Sequence, residues 1–241
     1  MAEAFTFSIT ARCAQTGMLG IAVASRFLAV GGLCPHAEAK VGAVATQALV
    51  NPLLGVDGLQ LLRSGATAHQ TLAALLAQDA GHHLRQVAVV DARGEAAAHT
   101  GSGCVEWAGH RVGAGYAVAG NMLTGPEVLT AMESGFLAAS GQPFPQRLLA
   151  ALAAGQAAGG DKRGKQAAAL LVVESQPYPY LTLRVDDHPD PVPELQRLLT
   201  LSDRSFAPYR ALMATREKPS GVLDPEAIAQ ARAQANRAAN P

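Results

Sequence analysis

The stretch that decides the fold is Phe5-Thr6-Phe7-Ser8-Ile9-Thr10-Ala11-Arg12, followed after a short break by Met18-Leu19-Gly20-Ile21-Ala22-Val23-Ala24-Ser25. The first segment alternates and is rich in Phe, Ile and Thr, as β-strands are. The second is apolar and of strand length, and Gln15-Thr16-Gly17 between them is typical of a turn. The chain therefore opens with a predicted β-hairpin.

Further hairpins and pairs of helices follow along the chain. Strands are predicted at Val41–Val50, Arg85–Asp91, Glu95–Thr100, Arg111–Ala119, Ala167–Glu174 and Tyr180–Asp187. Helices are predicted at Asp57–Ser64, Ala66–Ala80, Pro126–Ser140, Pro145–Ala158 and Pro191–Leu201. This order excludes a simple βαβ pattern, so it favours an α+β fold in which helices cover antiparallel sheets.

Composition predicts one main domain, residues 1–203, and a C-terminal helical tail or arm, residues 204–241. The tail contains a linker-like break at Glu217–Gly221. A predicted Ala/Gln/Arg helix, Asp224–Asn236, has little apolar surface.

Charge and cysteine content exclude several function classes. The 19 basic and 19 acidic residues balance, and aromatic residues make up 5%, so neither a nucleic-acid surface nor a base-stacking platform is expected. Cys13, Cys34 and Cys104 form no C-x-x-C motif, which argues against a disulfide framework and a cysteine zinc site. No apolar run has membrane-spanning length, and no signal peptide is visible. We expect a cytoplasmic protein that uses neither a metal nor a cofactor.

The loop Gly159-Gly160-Asp161-Lys162-Arg163-Gly164-Lys165-Gln166 nearly matches the phosphate-binding P-loop. Gln166 lacks the hydroxyl that binds Mg²⁺, and a predicted helix precedes the loop where a P-loop needs a strand. We therefore predict a charged loop that leads into a core strand. Lys162 or Arg163 can bind a substrate carboxylate. Alternatively, Asp161 forms an ion pair with one of them inside the loop.

A set of short sequence segments, which we call phrases, resembles a known family when taken in order along the chain. The phrases are Thr6–Ile9, Gly20–Arg26, Gly42–Gln47, Arg85–Val87, His99–Gly101, Gly120–Leu123, the Gly159–Gln166 loop and Leu183–His188. Together, over about residues 5 to 201, they resemble the bacterial domain-of-unknown-function family ten twenty-eight (DUF1028), which is placed with the N-terminal-nucleophile (Ntn) hydrolases. The resemblance implies a four-layer αββα sandwich.

The resemblance also implies an amide-bond hydrolase with Thr6 as its nucleophile. In Ntn hydrolases the first strand begins with Thr, Ser or Cys, and the free α-amine of that residue is the base. Five residues precede Thr6, so the Phe5–Thr6 bond must be cut before this mechanism can operate. The alternatives are an ordinary strand threonine, in a catalytically silent domain that binds a small ligand or scaffolds an assembly, and a hydrolase with another nucleophile such as Cys34.

Further site residues follow from the same comparison of phrases. Ser25 and Arg26 end the second strand beside the expected nucleophile, and Asn121 is a candidate donor to the developing oxyanion. Thr46 and Gln47 either line a substrate cleft or cap a sheet edge. Lys40, at about the spacing of a lysine in proteasome-like relatives, is better explained as a solvated residue. We expect a small amide or peptide-like substrate, and a homo-oligomer because Ntn folds often pair.

Overall fold

The computed structural model describes residues 3–4 and 6–239, which form eleven strands in two antiparallel sheets. The strands are β1 (Glu3–Ala4), β2 (Thr6–Arg12), β3 (Leu19–Ser25), β4 (Pro35–Glu38), β5 (Gly42–Leu49), β6 (Arg85–Asp91), β7 (Ala96–Thr100), β8 (Gly109–Gly113), β9 (Tyr116–Gly120), β10 (Ala167–Val173) and β11 (Leu181–Val185).

The predicted N-terminal hairpin lies at the centre of the larger sheet. That sheet has six strands in the order β11-β10-β3-β2-β9-β8. Within it Thr6 lies opposite Ser25 and Arg12 opposite Leu19, which confirms the hairpin. The smaller sheet has five strands in the order β1-β5-β6-β7, with β4 also pairing to β5.

The described residues form seven α-helices, and two pairs of them cover the outer faces of the sheets. The helices are α1 (Leu53–Arg63), α2 (Ala68–Gln78), α3 (Glu127–Ala138), α4 (Phe144–Ala157), α5 (Pro191–Leu201), α6 (Ala207–Arg210) and α7 (Pro225–Ala239). Helices α1 and α2 pack on the five-stranded sheet, and α3 and α4 pack on the six-stranded sheet. The layers therefore follow the order helix, sheet, sheet, helix, and the expected αββα sandwich is confirmed.

Local sequence explains why these helices begin where they do. Thr67 accepts a hydrogen bond from the backbone N–H of Gln70, and the Gln70 side chain accepts one from the backbone N–H of Thr67, so α2 opens with a capping box. Pro145 lies in the first turn of α4, where a missing backbone N–H costs nothing.

The strands of the smaller sheet alternate between two apolar layers. Ala43 and Ala45 of β5 face the space between the sheets, together with Ile21 and Val23 of β3. Val44, between those two alanines, faces α1 and α2. Because side chains of a strand alternate in direction, β5 contributes to both layers at once.

Several predicted elements differ from the structure. Arg111–Ala119 is not one strand but the end of β8 and most of β9, joined by a turn in which Gly115 has φ +78°. A glycine adopts that backbone conformation at little cost, so it allows the chain to reverse. Helix α1 begins at Leu53, four residues before the predicted start. Strands β1 and β4 were not predicted from the sequence.

The described residues divide into two compact units, one that ends at Leu195 and one that begins at Gln196. The division falls inside α5, whereas the predicted domain boundary at residues 203 and 204 stays a prediction. In the second unit, α7 buries Ala231 and Ala235. None of the helices in the described part of the chain is long and apolar enough to cross a membrane.

Candidate functional site

The space between the two sheets becomes polar at one end. Along β3 the inward positions are Leu19, Ile21 and Val23, and the next is Ser25. Along β5 and β6 the alternating inward positions likewise end at Gln47 and Gln86. Antiparallel pairing places Gln47 opposite Gln86 and Ser25 opposite Thr6, so the polar positions of all these strands meet at the same end of the sandwich.

Thr6 lies at the centre of this polar end and is completely buried. Its Oγ1 donates a hydrogen bond to Ser25 Oγ at 3.3 Å. Its backbone carbonyl accepts from the backbone N–H of Asn121 at 3.0 Å, from Gln47 Nε2 at 3.3 Å and from Asn121 Nδ2 at 3.5 Å. The first residue of β2 is therefore bound at its hydroxyl and at its carbonyl by groups from three other segments.

Gln47 and Gln86 connect Thr6 to both sheets. Gln47 Oε1 accepts from Ser8 Oγ at 2.7 Å, and Gln47 Nε2 donates to Gln86 Oε1 at 2.7 Å. Gln86 Nε2 in turn donates at 2.9 Å to the carbonyls of Gly109 and Gly120. Turning either amide over would set oxygen against oxygen, so the network fixes which atom is nitrogen.

Asn121 adds a donor and an unused acceptor to the same end. Its Nδ2 donates to Gln86 Oε1 at 3.0 Å. Its Oδ1 is buried and has no hydrogen-bond partner among the described residues. A buried acceptor of this kind is costly unless a water or a ligand satisfies it. We call Thr6, Ser8, Ser25, Gln47, Gln86 and Asn121 the amide–hydroxyl cluster.

Thr46 and Gln47, which were predicted as a pair, face opposite sides of β5. Gln47 belongs to the amide–hydroxyl cluster, whereas Thr46 Oγ1 donates to the backbone carbonyl of Asn51 at 3.1 Å, ahead of α1. Their separation follows from strand geometry, since adjacent side chains point to opposite faces. Of the two, the structure brings only Gln47 to Thr6 within the described residues.

The charged loop lies next to the end of β3. Asp161 is 3% exposed, and its carboxylate accepts from the backbone N–H of Arg26 at 3.1 Å. The same carboxylate pairs with Arg163, with contacts of 2.6 Å to Nη2 and 3.0 Å to Nε. Arg26 Nη1 donates to the backbone carbonyl of Arg163. Asp161 and Arg163 thus form the ion pair inside the loop that was one of the two alternatives.

Lys162 of this loop has a different partner. Its Nζ donates to the backbone carbonyl of Glu106 at 2.7 Å. Lys165 pairs with Asp190 at 2.5 Å, at the predicted strand end and turn before α5. The loop therefore tethers three other segments, near residues 26, 106 and 190.

The two other residues weighed as site candidates lie elsewhere or are unreactive. Lys40 is an exposed residue with φ 64° in the turn between β4 and β5. Cys34 is buried, and its Sγ is 3.8 Å from Gln47 Oε1. Burial raises the pKa of the Cys34 thiol to about 12. At neutral pH this thiol stays protonated and is a poor nucleophile.

Sequence reasoning missed Gln86, Ser8 and Thr100. Gln86 is the residue that links Gln47, Asn121 and Thr100. A signal was present, since Gln86 shares a two-residue period with Ala88 and Val90 and is the polar member of that row. Its importance depends on β5 and β9 being its neighbours, which the row alone does not show.

Comparison with known proteins shows which family the chain resembles. The model of the family of unknown function DUF1028 matches residues 6–195. The crystal structure of protein SPO2555 from Silicibacter pomeroyi, described with that family model, is 35% identical. It covers 91% of this chain and 96% of its own, with a TM-score of 0.85.

A second solved structure is Anbu (ancestral beta-subunit) from Yersinia bercovieri, at 10% identity and a TM-score of 0.36 over 87% of this chain and 99% of its own. We draw nothing from a likeness of that size. No curated protein matches the chain. The extent of the family match and the 35% identical relative show that the chain belongs to the DUF1028 family.

Proposed function

We propose that the protein is an Ntn-type hydrolase of an amide or small peptide-like bond, with Thr6 as its nucleophile once residues 1–5 are removed. The observation that carries this proposal is the environment of Thr6. It is the first residue of a central strand, its hydroxyl contacts Ser25, and two side-chain amides converge on its carbonyl. Such contacts position one residue far more tightly than strand pairing alone requires.

The chemistry proceeds in two stages. In processing, Thr6 Oγ1 adds to the carbonyl carbon of the Phe5–Thr6 amide, the C–N bond breaks, and the nitrogen takes the proton to become a free α-amine. Water then hydrolyses the ester and releases residues 1–5. Phe5 itself lies outside the described residues. In turnover, the α-amine accepts the proton of Thr6 Oγ1 as that oxygen attacks the substrate carbonyl. The substrate amine leaves with that proton, and water hydrolyses the acyl-enzyme.

The neighbours of Thr6 have proposed roles that fit their positions. Ser25 orients the Thr6 hydroxyl, and Asn121 donates to the oxyanion from Nδ2. Gln47 fixes the carbonyl of Thr6. Arg26, which follows Ser25, is proposed as a further catalytic residue beside Thr6. Asp161, Lys162 and Arg163 are proposed to bind substrate at the adjacent rim. In that case Asp161 acts through Arg26 and Arg163, which it already binds. For Thr46 to contact substrate, its side chain would have to leave Asn51.

A catalytically silent ligand-binding or scaffold domain is the second candidate. The observation that favours it is the complete burial of Thr6, together with a carbonyl that already accepts three hydrogen bonds. In that case the amide–hydroxyl cluster joins the two sheets and does no chemistry.

Intact mass of the purified protein, and of its Thr6→Ala variant, separates the two candidates. The hydrolase predicts a chain that begins at Thr6, and loss of this cleavage in the variant. Thr6→Ser should still be cleaved, because serine keeps the hydroxyl. Thr10→Ala is the matched control, since Thr10 is buried on the same strand and its Oγ1 has no partner among the described residues.

Turnover of a panel of small amides supplies the second measurement. Thr6→Ala should abolish it and Thr10→Ala should preserve it. A wild-type chain that keeps residues before Thr6 under every condition, with no turnover, would leave the silent domain as the function. The predicted homo-oligomer and cytoplasmic location stay predictions, and light scattering of the purified protein tests the first.

A further inference from the structure

A cavity of about 440 Å³ lies between the end of β7 and the start of β8. Thr100, Ser102, Glu106, Gly109 and His110 are among the residues that line it. Its volume is in the range of sites that bind small molecules. Gln86 of the amide–hydroxyl cluster donates to Thr100 Oγ1 and to the carbonyl of Gly109. Hydrogen bonds from the cluster therefore hold two residues of the cavity wall.

A series of hydrogen bonds leads from the amide–hydroxyl cluster to this cavity. Ser8 Oγ donates to Gln47 Oε1, Gln47 Nε2 to Gln86 Oε1, and Gln86 Nε2 to Thr100 Oγ1 at 2.9 Å. Thr100 Oγ1 also lies 2.8 Å from His110 Nδ1. A hydroxyl has one hydrogen and two acceptor positions, so Thr100 Oγ1 either donates to His110 Nδ1 or accepts from it. Of the two arrangements, donation to His110 Nδ1 also uses the hydrogen of Thr100 Oγ1.

Donation from Thr100 would fix the tautomer of His110. A ring nitrogen that accepts a hydrogen bond carries no proton, so the neutral imidazole has its hydrogen on Nε2. Burial, and to a smaller extent the nearby His99, lowers the pKa of His110 below its ordinary value, which agrees with a neutral ring at neutral pH. Nε2 has no hydrogen-bond partner among the described residues, so with Nδ1 accepting from Thr100 it presents an uncharged N–H donor at the cavity.

Glu106 contributes the complementary group. Its carboxylate, exposed at the cavity, has no hydrogen-bond or ion-pair partner in the described part of the chain. Its backbone carbonyl accepts from Lys162 Nζ, which orients this segment. One N–H donor and one carboxylate acceptor match a ligand that has a carbonyl beside an N–H. A ligand carboxylate would instead be repelled by Glu106.

We propose that this cavity binds a small neutral amide, whose carbonyl accepts from His110 Nε2–H and whose N–H donates to the Glu106 carboxylate. The proposal does not depend on Thr6 as a nucleophile. Binding at this cavity involves no covalent step, and it applies equally to a hydrolase and to a catalytically silent domain.

The test is an NMR titration of the full chain labelled with ¹⁵N in histidine. The probe is propionamide, and the comparison is its near-isosteric carboxylate, propionate, which has no N–H. Before any addition, the ¹⁵N shifts of His110 should show an unprotonated Nδ1 and a protonated Nε2. The amide should then shift the Nε2 signal in a saturable way, and the carboxylate should bind about tenfold more weakly.

Three variants test which side chains bind the amide. His110→Ala should abolish saturable binding of the amide, and Glu106→Gln should remove the preference for amide over carboxylate. His83→Ala is the matched control, since His83 is an exposed histidine close in the fold, and it should bind as the wild type does. Hydrolysis is measured by intact mass and turnover and binding by the histidine signals, so failure of the proposed hydrolysis leaves this result unaffected.

Several outcomes would overturn the proposal. They are a proton on Nδ1 of His110 in the free protein, a carboxylate that binds as tightly as the amide, and amide binding that survives His110→Ala. Absence of any saturable shift in the folded wild type would overturn it too. Circular dichroism of each variant checks that it is folded.

Discussion

The two ends of the space between the sheets are held together by different kinds of contact. At one end, Ile21 and Val23 pack with alanines of β5, and the contacts are apolar and non-directional. At the other end, the same strands contribute Ser25, Gln47 and Gln86, whose hydrogen bonds are directional and shared. The apolar end stabilises the sandwich whatever its fine geometry. The polar end tolerates one arrangement only, since a buried amide left unpaired is costly.

Truncation of the apolar end should have the largest effect. Ile21→Ala leaves a cavity in a completely buried position, so we expect it to lower the free energy of unfolding by about 4 kcal/mol. Urea unfolding measures this loss. Val112→Ala, at an exposed valine of β8, is the control and should change stability little. Similar losses for both would show that the apolar end is not a packed core.

Removal of the shared amide should come next. Gln86→Leu removes the Oε1 that accepts from Gln47 Nε2 and Asn121 Nδ2, which keep only their longer contacts to the Thr6 carbonyl. It also removes the donor to the carbonyls of Gly109 and Gly120, so we expect a loss of about 3 kcal/mol. The control is Gln78→Leu, at an exposed glutamine of α2. A stabilised Gln86→Leu protein would mean that the polar end is no more specific than the apolar one.

The ion pair beside the polar end should matter less. Asp161→Asn neutralises the carboxylate that binds Arg163 and the backbone N–H of Arg26, and we expect a loss of about 2 kcal/mol, since Arg163 is partly exposed. Asp187→Asn, at an exposed carboxylate bonded to Gln166, is the control. Equal stability of the two variants in urea would contradict the assignment of Asp161 as the anchor of this loop.

The smallest expected effect is a change of stability with pH. Asp79 accepts from Arg85, which precedes Gln86, and this hydrogen bond lowers the pKa of Asp79 below its ordinary value. A depressed pKa in the folded state contributes stability above the unfolded pKa, and this contribution is lost as pH falls through the folded value. Asp79→Asn should therefore be less stable than the wild type at neutral pH, and the gap should narrow by about pH 3. A gap that does not change with pH would refute this linkage.

Much of the fold was predictable from local patterns. The two-residue alternation of Thr6–Arg12 and the turn at Gln15–Gly17 define the first hairpin without any long-range information. The turn inside Arg111–Ala119 was missed, because Gly113 and Gly115 resemble interruptions of one strand until β8 folds back on β9. The layer order came from the family resemblance, since hairpins and helix pairs alone allow more than one stacking.

The candidate site was predictable in part. Ser25, Gln47 and Asn121 were named from phrases of sequence, and the structure brings them to Thr6. Gln86 was not named, and Thr46 was paired with Gln47 although the two face opposite sides of β5. Contacts between residues 39 to 115 positions apart depend on strand register, which a single strand does not encode.

By itself, the sequence determined which positions are polar and where most of the strands lie, because hydrophobic periodicity is a local property of the chain. Only the tertiary structure decided which polar groups meet. Pairing of β5 with β6 and of β2 with β3 and β9 brings Thr6, Gln47, Gln86 and Asn121 to one end of the sandwich. The physical reason is that a buried amide must find a partner, and the register of the sheets determines which partner is within reach.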